Sequence, residues 1–356
     1  MYMKTKNHIG IYILLAVLFI LGYVFLAAKP LGKEYHFTPE WKKSISVPPA
    51  ETVPSNTQLI DFKLGRSIGY FTADGLITTS KSYPAKASVS SSYYAIYNTE
   101  DKEIPIYGKD NQEKGKFSVP GYPFFEDDRI FVFMPGGASF AKCTEDGSVS
   151  WINENTVPLT AFSSKSKYTA AGYADGTIRL IDNDTGIEKS NFAPGGSDYK
   201  VIFGLDISSD GSYIASLSGH NKLRFVLTKN DGNQPKIIYH KYLDSDLNTR
   251  TVIRFCDNDS HIIYNYNGYL GIYNIAKEKD TQIKIDKEVL SIQETDTLFF
   301  VLGKKDKEYT VYIIEKTDTL EGSFSFTADA AFIKASGNSL YVGQDNFISK
   351  LKVSKK

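Results

Sequence analysis

Two short strings bring carboxylates close together: Asp182-Asn183-Asp184-Thr185-Gly186 and Asp257-Asn258-Asp259. Paired carboxylates at such spacing can hold a cation or share a proton in acid–base work. The first string lacks the ligand spacing and terminal Glu of a calcium loop, and Asp, Asn, Thr and Gly are the residues of a tight strand-connecting turn. The second is a polar turn of the same kind, and its neighbour His261 is expected at the surface. The five histidines (His8, His36, His220, His240 and His261) show neither an H-E-x-x-H pattern nor any paired spacing, so no metal site is expected. No nucleophile elbow, Walker glycine loop or dinucleotide fingerprint occurs in any window. The expectation is therefore of no catalytic residue, no metal ligand and no cofactor legible as a linear motif.

The charge balance narrows the partners. The 356 residues carry 41 basic and 41 acidic side chains, so no global field draws the chain to nucleic acid. Only six of the basic residues are Arg (Arg66, Arg129, Arg179, Arg224, Arg250 and Arg254), and Arg is the side chain suited to bidentate phosphate recognition. Glycine (27), tyrosine (24) and phenylalanine (22) dominate over methionine (3) and tryptophan (2), a mix that suits strands and turns.

The N-terminal region reads differently. Residues 9–28 are uncharged and flanked by Lys4 and Lys6 on one side and Lys29 and Lys33 on the other. At ~1.5 Å per residue such a run matches a ~30 Å hydrocarbon layer, and it exceeds the apolar region of a cleaved signal peptide. It is expected to be a transmembrane signal anchor after a short cytoplasmic tail (1–8), leaving residues 29–356 outside the cytoplasmic membrane, in the periplasm. Residues 29–56 contain five prolines and read as a semi-rigid linker, with a helical turn suggested around Trp41 by Thr38-Pro39-Glu40.

The remainder, 57–356, repeats. An apolar anchor, a polar turn and a second apolar strand recur at Phe71, Phe125, Phe162, Ile207, Phe255, Ile292 and Ile333. A Gly-containing turn and two further strands follow the later anchors, giving four antiparallel strands per unit of about 40–45 residues, the make-up of a propeller blade. Seven anchors imply an all-β, seven-bladed β-propeller preceded by one transmembrane helix, with six and eight blades as the neighbouring counts. Too few residues follow Ile333 for a complete last blade, so the ring needs a borrowed strand, and 58–63 is the expected donor. Cys143 and Cys256 fall in well-separated units and are expected to be buried free thiols.

The stretch 158–227 carries the clearest copies. Ala174-Asp175-Gly176-Thr177-Ile178-Arg179-Leu180-Ile181-Asp182 and Ile207-Ser208-Ser209-Asp210-Gly211-Ser212-Tyr213-Ile214-Ala215 resemble two blades of the WD40-like, YVTN and quinoprotein-like propeller superfamily. The chain has no Trp-Asp dipeptide, and its one Gly-His pair, Gly219-His220, sits in a turn between second and third strands, so the family's structural hydrogen-bond relay is not expected. With only Trp41 and Trp151 present, the tryptophan-rich stacking that a quinone-dependent enzyme would imply is disfavoured.

What the resemblance implies is a shape commonly used as a protein-binding platform. The turns between second and third strands share one rim with the inter-blade loops. That rim is expected to present Tyr173, Asp175, His220, Tyr266, Tyr269, Lys305 and Asp345, with Pro-Gly-Gly loops at 135–137 and 194–196. The expected function is a membrane-anchored, extracytoplasmic, non-catalytic scaffold that docks another envelope protein. The alternative is a propeller enzyme, a hydrolase or lyase of glycans or small metabolites, with carboxylates at the channel mouth.

Overall fold

The computed structural model describes residues 9–27, 34–50, 57–98, 100–231, 234–244 and 251–355. The expected tail (1–8) and parts of the expected linker (28–33 and 51–56) lie outside them. Among the described residues the strands form eight sheets, seven of four strands and one of three. Each sheet is an antiparallel meander, and successive sheets follow chain order: blade 1 (59–82), blade 2 (86–116), blade 3 (122–153), blade 4 (159–192), blade 5 (202–243), blade 6 (253–284), blade 7 (288–327) and blade 8 (331–355). The expectation of an all-β propeller holds, but seven blades becomes eight.

The core confirms the count independently. Apolar side chains gather into eight buried clusters, and each is sandwiched between two neighbouring blades. The blade 3–4 cluster, for example, stacks Phe131 and Phe140 on Phe162, Ala171 and Tyr173. A blade has two apolar faces and cannot bury either alone, so radial stacking is the solution the sequence pattern demands.

The overlooked blade is blade 2. Its strands Lys86–Val89, Tyr93–Tyr97, Pro105–Gly108 and Glu113–Lys116 are only four or five residues long, and two of them are largely polar. They fall in the 54-residue interval between Phe71 and Phe125, which the spacing treats as a single unit. Phe71 itself belongs to Ser67–Thr72, the second strand of blade 1, so the true first anchor is Phe62 in Leu59–Leu64. That strand pairs with 67–72 as the innermost strand of its own blade and closes nothing.

Closure comes from further upstream. Tyr35–Ser44 pairs antiparallel with Phe347–Lys355 from Tyr35↔Lys355 to Ser44↔Phe347, making the fourth strand of blade 8. The expected linker thus contains the closing strand, and the expected helical turn around Trp41 is a strand with a bulge between Pro39 and Trp41. Proline is tolerated there because the strand lies at a sheet edge. Trp41 packs across the seam, its ring 6.3 Å from Phe71 of blade 1 and 6.0 Å from Tyr341 of blade 8, with Nε1 donating to Ala73 O at 3.2 Å.

The N-terminal run forms a helix, Ile9–Ala27. Among the described residues no helix is long and apolar enough to cross a membrane, and the expected transmembrane element is corrected accordingly.

Candidate functional site: the channel belt and the rim

The innermost strands line the central channel, and side chains on them lace the ring together. Seven blades have their junction made by the residues immediately before or after the apolar anchor. Lys63 Nζ donates to Ala87 O of blade 2 at 2.6 Å, and Ser90 Oγ to Asp127 O of blade 3 at 2.5 Å. Ser163 Oγ donates to Asp206 of blade 5, whose second oxygen takes the Phe255 amide of blade 6 at 2.7 Å. Arg254 Nη1 reaches Ile292 O of blade 7 at 2.7 Å, and Gln293 Oε1 accepts from the Ala335 amide of blade 8 at 3.4 Å. Lys334 Nζ closes the circuit on Asp61 of blade 1 at 2.7 and 2.9 Å. The remaining junction, blade 3 to blade 4, is made from the adjoining hairpin, where Arg129 donates from Nε to Ser164 Oγ and from Nη2 to Ser164 O, both at 3.1 Å.

One channel mouth opens into a polar cavity of about 400 Å³ lined by Asp61, Glu126, Asp127, Arg254, Gln293 and Lys334, among others. Asp61 is held by Lys334 and Asp127 by Arg129 Nη2 at 3.3 Å. Glu126 has no hydrogen bond or ion pair among the described residues. Burial pushes its carboxyl above the usual range, and the Lys165 ammonium opposes that only in part.

The rim is laid out as the topology requires, since turns between second and third strands rest on the loops that connect neighbouring blades. Ala174 N donates to Pro158 O, Ile285 N to Gly268 O and Asp345 N to Ala330 O. Of the seven sequence-derived rim residues, five are at the surface: Asp175, His220, Tyr269, Lys305 and Asp345. Asp175 caps its own turn through Thr177 N (2.9 Å), and Asp345 takes Asp329 N (2.8 Å). The other two are buried. Tyr173 has no exposure, donates its hydroxyl to Asn153 Oδ1 at 2.8 Å and lies under the Arg179 guanidinium. Tyr266 is 6 % exposed and forms the floor on which Tyr269 stacks at 5.3 Å.

The rim is most developed at the blade 4–5 junction. There the Pro194-Gly195-Gly196 loop is pinned from below by Arg224, which donates to the carbonyls of Pro194 and Gly195, and from the side by Tyr242, whose hydroxyl reaches Gly196 O at 2.7 Å. Gly196 has φ +71°, a backbone conformation that favours glycine, and a Cβ there would meet Arg224 Nη1 at 2.6 Å and displace the guanidinium that pins the loop. Asp198 accepts the His220 and Asn221 amides at 3.0 Å each, and these N–H groups hold its carboxyl below the usual range. Clefts of about 420 and 160 Å³ flank the loop, the first lined by Asp198, Lys222 and Tyr242 and the second by Asp175, Lys200 and Ser218. Tyr199 and Tyr242 are about half exposed beside them, at 53 % and 49 %. Sequence reasoning found the loop and missed Tyr199, Tyr242 and Asp198. It also missed Glu126, which comparing the residues that follow each anchor (Ser90, Ser163, Gln293, Lys334) would have singled out.

His261 is 4 % exposed, against the surface position expected. Its Nδ1 lies 2.8 Å from Ser260 Oγ and 3.2 Å from Asp257 Oδ2, and its Nε2 lies 2.8 Å from Asn274 Nδ2. A hydrogen-bond relay does exist in blade 6, built from other residues than the superfamily's motif. Ser260 Oγ also lies 2.7 Å from Asp257 O, so the group braces a turn whose Asp257, Asn258 and Asp259 all have positive φ. Among residues with a side chain, such backbone tolerates Asn and Asp best, which fits the string's composition. Cys143 and Cys256 are free and buried, and burial pushes their thiols up to about 11 and about 12.

A family model described as beta-propeller protein matches residues 3–356. An uncharacterised protein of Treponema pallidum (strain Nichols) is 25% identical over 99% of this chain and 96% of its own length. Among solved structures, BamB from Moraxella catarrhalis superposes with a TM-score of 0.58 at 12% identity, covering 89% of this chain and 100% of that one. The computationally designed Ika8 protein does so with a TM-score of 0.58 at 11% identity, over 83% and 96%. These structural likenesses speak for the fold.

Proposed function

The chain belongs to this family of β-propeller proteins, and from that premise we propose that it is a protein-binding scaffold of the cell envelope, held at the cytoplasmic membrane through residues 9–28 with its propeller on the extracytoplasmic side. The observation that carries the scaffold reading is the blade 4–5 rim. Two clefts, a pinned glycine loop and the half-exposed rings of Tyr199 and Tyr242 stand together there, with Tyr269 on the next blade. Tyrosine with mixed charge around concave surface is the composition of protein recognition sites. Membrane attachment draws on the helix, whose side chains from Ile11 to Val24 are apolar on every face and mostly exposed, Phe19 to 76 %. Such surface is costly in water, at ~25 cal/mol per Å².

The test is recovery of partners by crosslinking in intact envelopes with the full chain as bait. The expected result is a specific partner that is lost with Tyr242→Ala plus Tyr269→Ala. Recovery unaffected by that pair would overturn the rim assignment. Deleting 9–28 should release the protein from the membrane fraction, and a reporter fused after Lys356 should be active outside the cytoplasm.

The second reading, a propeller enzyme, draws on the carboxylates at the channel mouth. Asp61 and Asp127 are each tied to a cation, which leaves Glu126 alone, whereas glycoside hydrolysis generally needs a second working carboxyl group. The scaffold reading is favoured on that ground.

A further inference from the structure

We propose that the channel mouth beside blade 3 binds a ligand carrying a primary ammonium group, with the Glu126 carboxylate as its counter-charge. The argument begins with register. In five blades the residue following the anchor reaches the next blade: Lys63, Ser90, Ser163, Gln293 and Lys334. Glu126 occupies that position in blade 3, but Arg129 has taken over its junction by binding Ser164. The carboxylate is therefore relieved of a structural task and still sits in the channel wall.

The surrounding charges are spoken for. Three carboxylates (Asp61, Glu126, Asp127) and two cations (Arg254, Lys334) line the cavity. Lys334 is committed to Asp61, Asp127 to Arg129, and Arg254 to the Ile292 carbonyl. Lys165, the nearest remaining cation, is drawn to Asp206 at 3.7 Å. Among the described residues Glu126 thus has no ion pair of its own at a cavity of about 400 Å³, and Lys165 and Arg129 offset its burial only in part. An isolated carboxylate half out of water is costly unless something pairs with it.

The chemistry of the lining selects the partner. A hard divalent cation wants several carboxylate oxygens, and here only one carboxylate is free. An ammonium has three N–H donors, which suit one carboxylate plus neutral oxygens. Ser91 and Ser336 line the same cavity and supply hydroxyls. Such a group comes from two sources, a free polyamine or the lysine side chain of a peptide, and both share this recognition.

The experiment is calorimetric titration of the full chain in detergent with spermidine and, separately, with a capped trilysine peptide. Wild type should bind at least one probe, with affinity falling about tenfold or more in Glu126→Gln and unchanged in Glu321→Gln, an exposed acid on the outer strand of blade 7. Binding of spermidine alone assigns a free amine, and binding of the peptide alone assigns a lysine side chain. Neither probe binding below the order of 10 mM, equal affinity in Glu126→Gln, or equal loss in Glu321→Gln overturns the proposal. Circular dichroism of Glu126→Gln, a nearly isosteric change, checks that the variant is folded.

Discussion

The two ends of the chain meet at the junction of blades 8 and 1, whereas blades 3 and 4 are joined by continuous chain, and the two junctions are built differently. Between blades 3 and 4, aromatic rings do the holding: Phe162 meets Phe131, Phe133 and Phe140 edge-to-face at 5.0–5.2 Å, with Trp151 5.9 Å from Phe140. Between blades 8 and 1 there is a cluster too, but it is supplemented by a borrowed strand, by Trp41 laid across the joint and by the Lys334–Asp61 ion pair. Both junctions pair apolar packing with a directional side-chain contact, Arg129 on Ser164 at the one and Lys334 on Asp61 at the other. Where covalent continuity is interrupted, pairing in register with a borrowed strand is added, and it specifies which surfaces must meet.

Removing the extra device should separate the two junctions most sharply. Deleting 35–46 strips blade 8 of its outer strand and the seam of Trp41, and the expected outcome is loss of the cooperative thermal transition. Retention of the wild-type melting temperature would show that the closing strand is dispensable. At the other junction, Phe140→Ala opens a cavity at a fully buried ring and should cost ~3–5 kcal/mol in denaturant unfolding. Lys334→Ala leaves the Asp61 carboxylate, largely shielded from solvent, without its cation, and should cost ~1–3 kcal/mol by the same measurement. Its counterpart in register, Glu126→Gln, should do the opposite and raise the melting temperature. Burial lifts the folded-state pKa of Glu126 above its unfolded value, so the penalty on the folded protein sets in as pH rises past the unfolded value and is complete above the folded one. The gain from Glu126→Gln should therefore be present at pH 7 and vanish as pH falls through the folded and then the unfolded value. Tyr269→Ala, on the open rim, should change stability by no more than ~0.5 kcal/mol while reducing partner recovery.

The same contrast explains what could be seen in the bare sequence. Blades 3 to 8 announce themselves because Phe125, Phe162, Ile207, Phe255, Ile292 and Ile333 each head a strand–turn–strand unit, and local patterning needs no knowledge of distant partners. Blade 2 has only the half-buried Val89 at its anchor position, in the short innermost strand Lys86–Val89, and it escapes the pattern. The closing strand was misplaced for another reason. Tyr35–Ser44 contains Pro39 and alternates weakly, and its pairing partner is Phe347–Lys355 at the far end of the chain. At the rim, turn position was legible from Gly, Asp and Asn, but burial was not. Tyr173 and Tyr266 end their second strands facing a neighbouring blade, and only the ring arrangement decides that. The value of Glu126 likewise depends on Arg129 having displaced it, a relation between two side chains that spacing alone does not express.

The pairing of Tyr35 with Lys355 also sets the order of events during synthesis. The closing strand is made about 300 residues ahead of its mate, so at ~5–20 residues per second the first segment waits on the order of tens of seconds for it. Until then the other sectors can assemble while the circle stays open, with one unprotected sheet edge at its end. Lys350, Lys352 and Lys355 on that late strand, together with Lys42 and Lys43 on the early one, give the waiting edges the positive charge that discourages pairing with strangers.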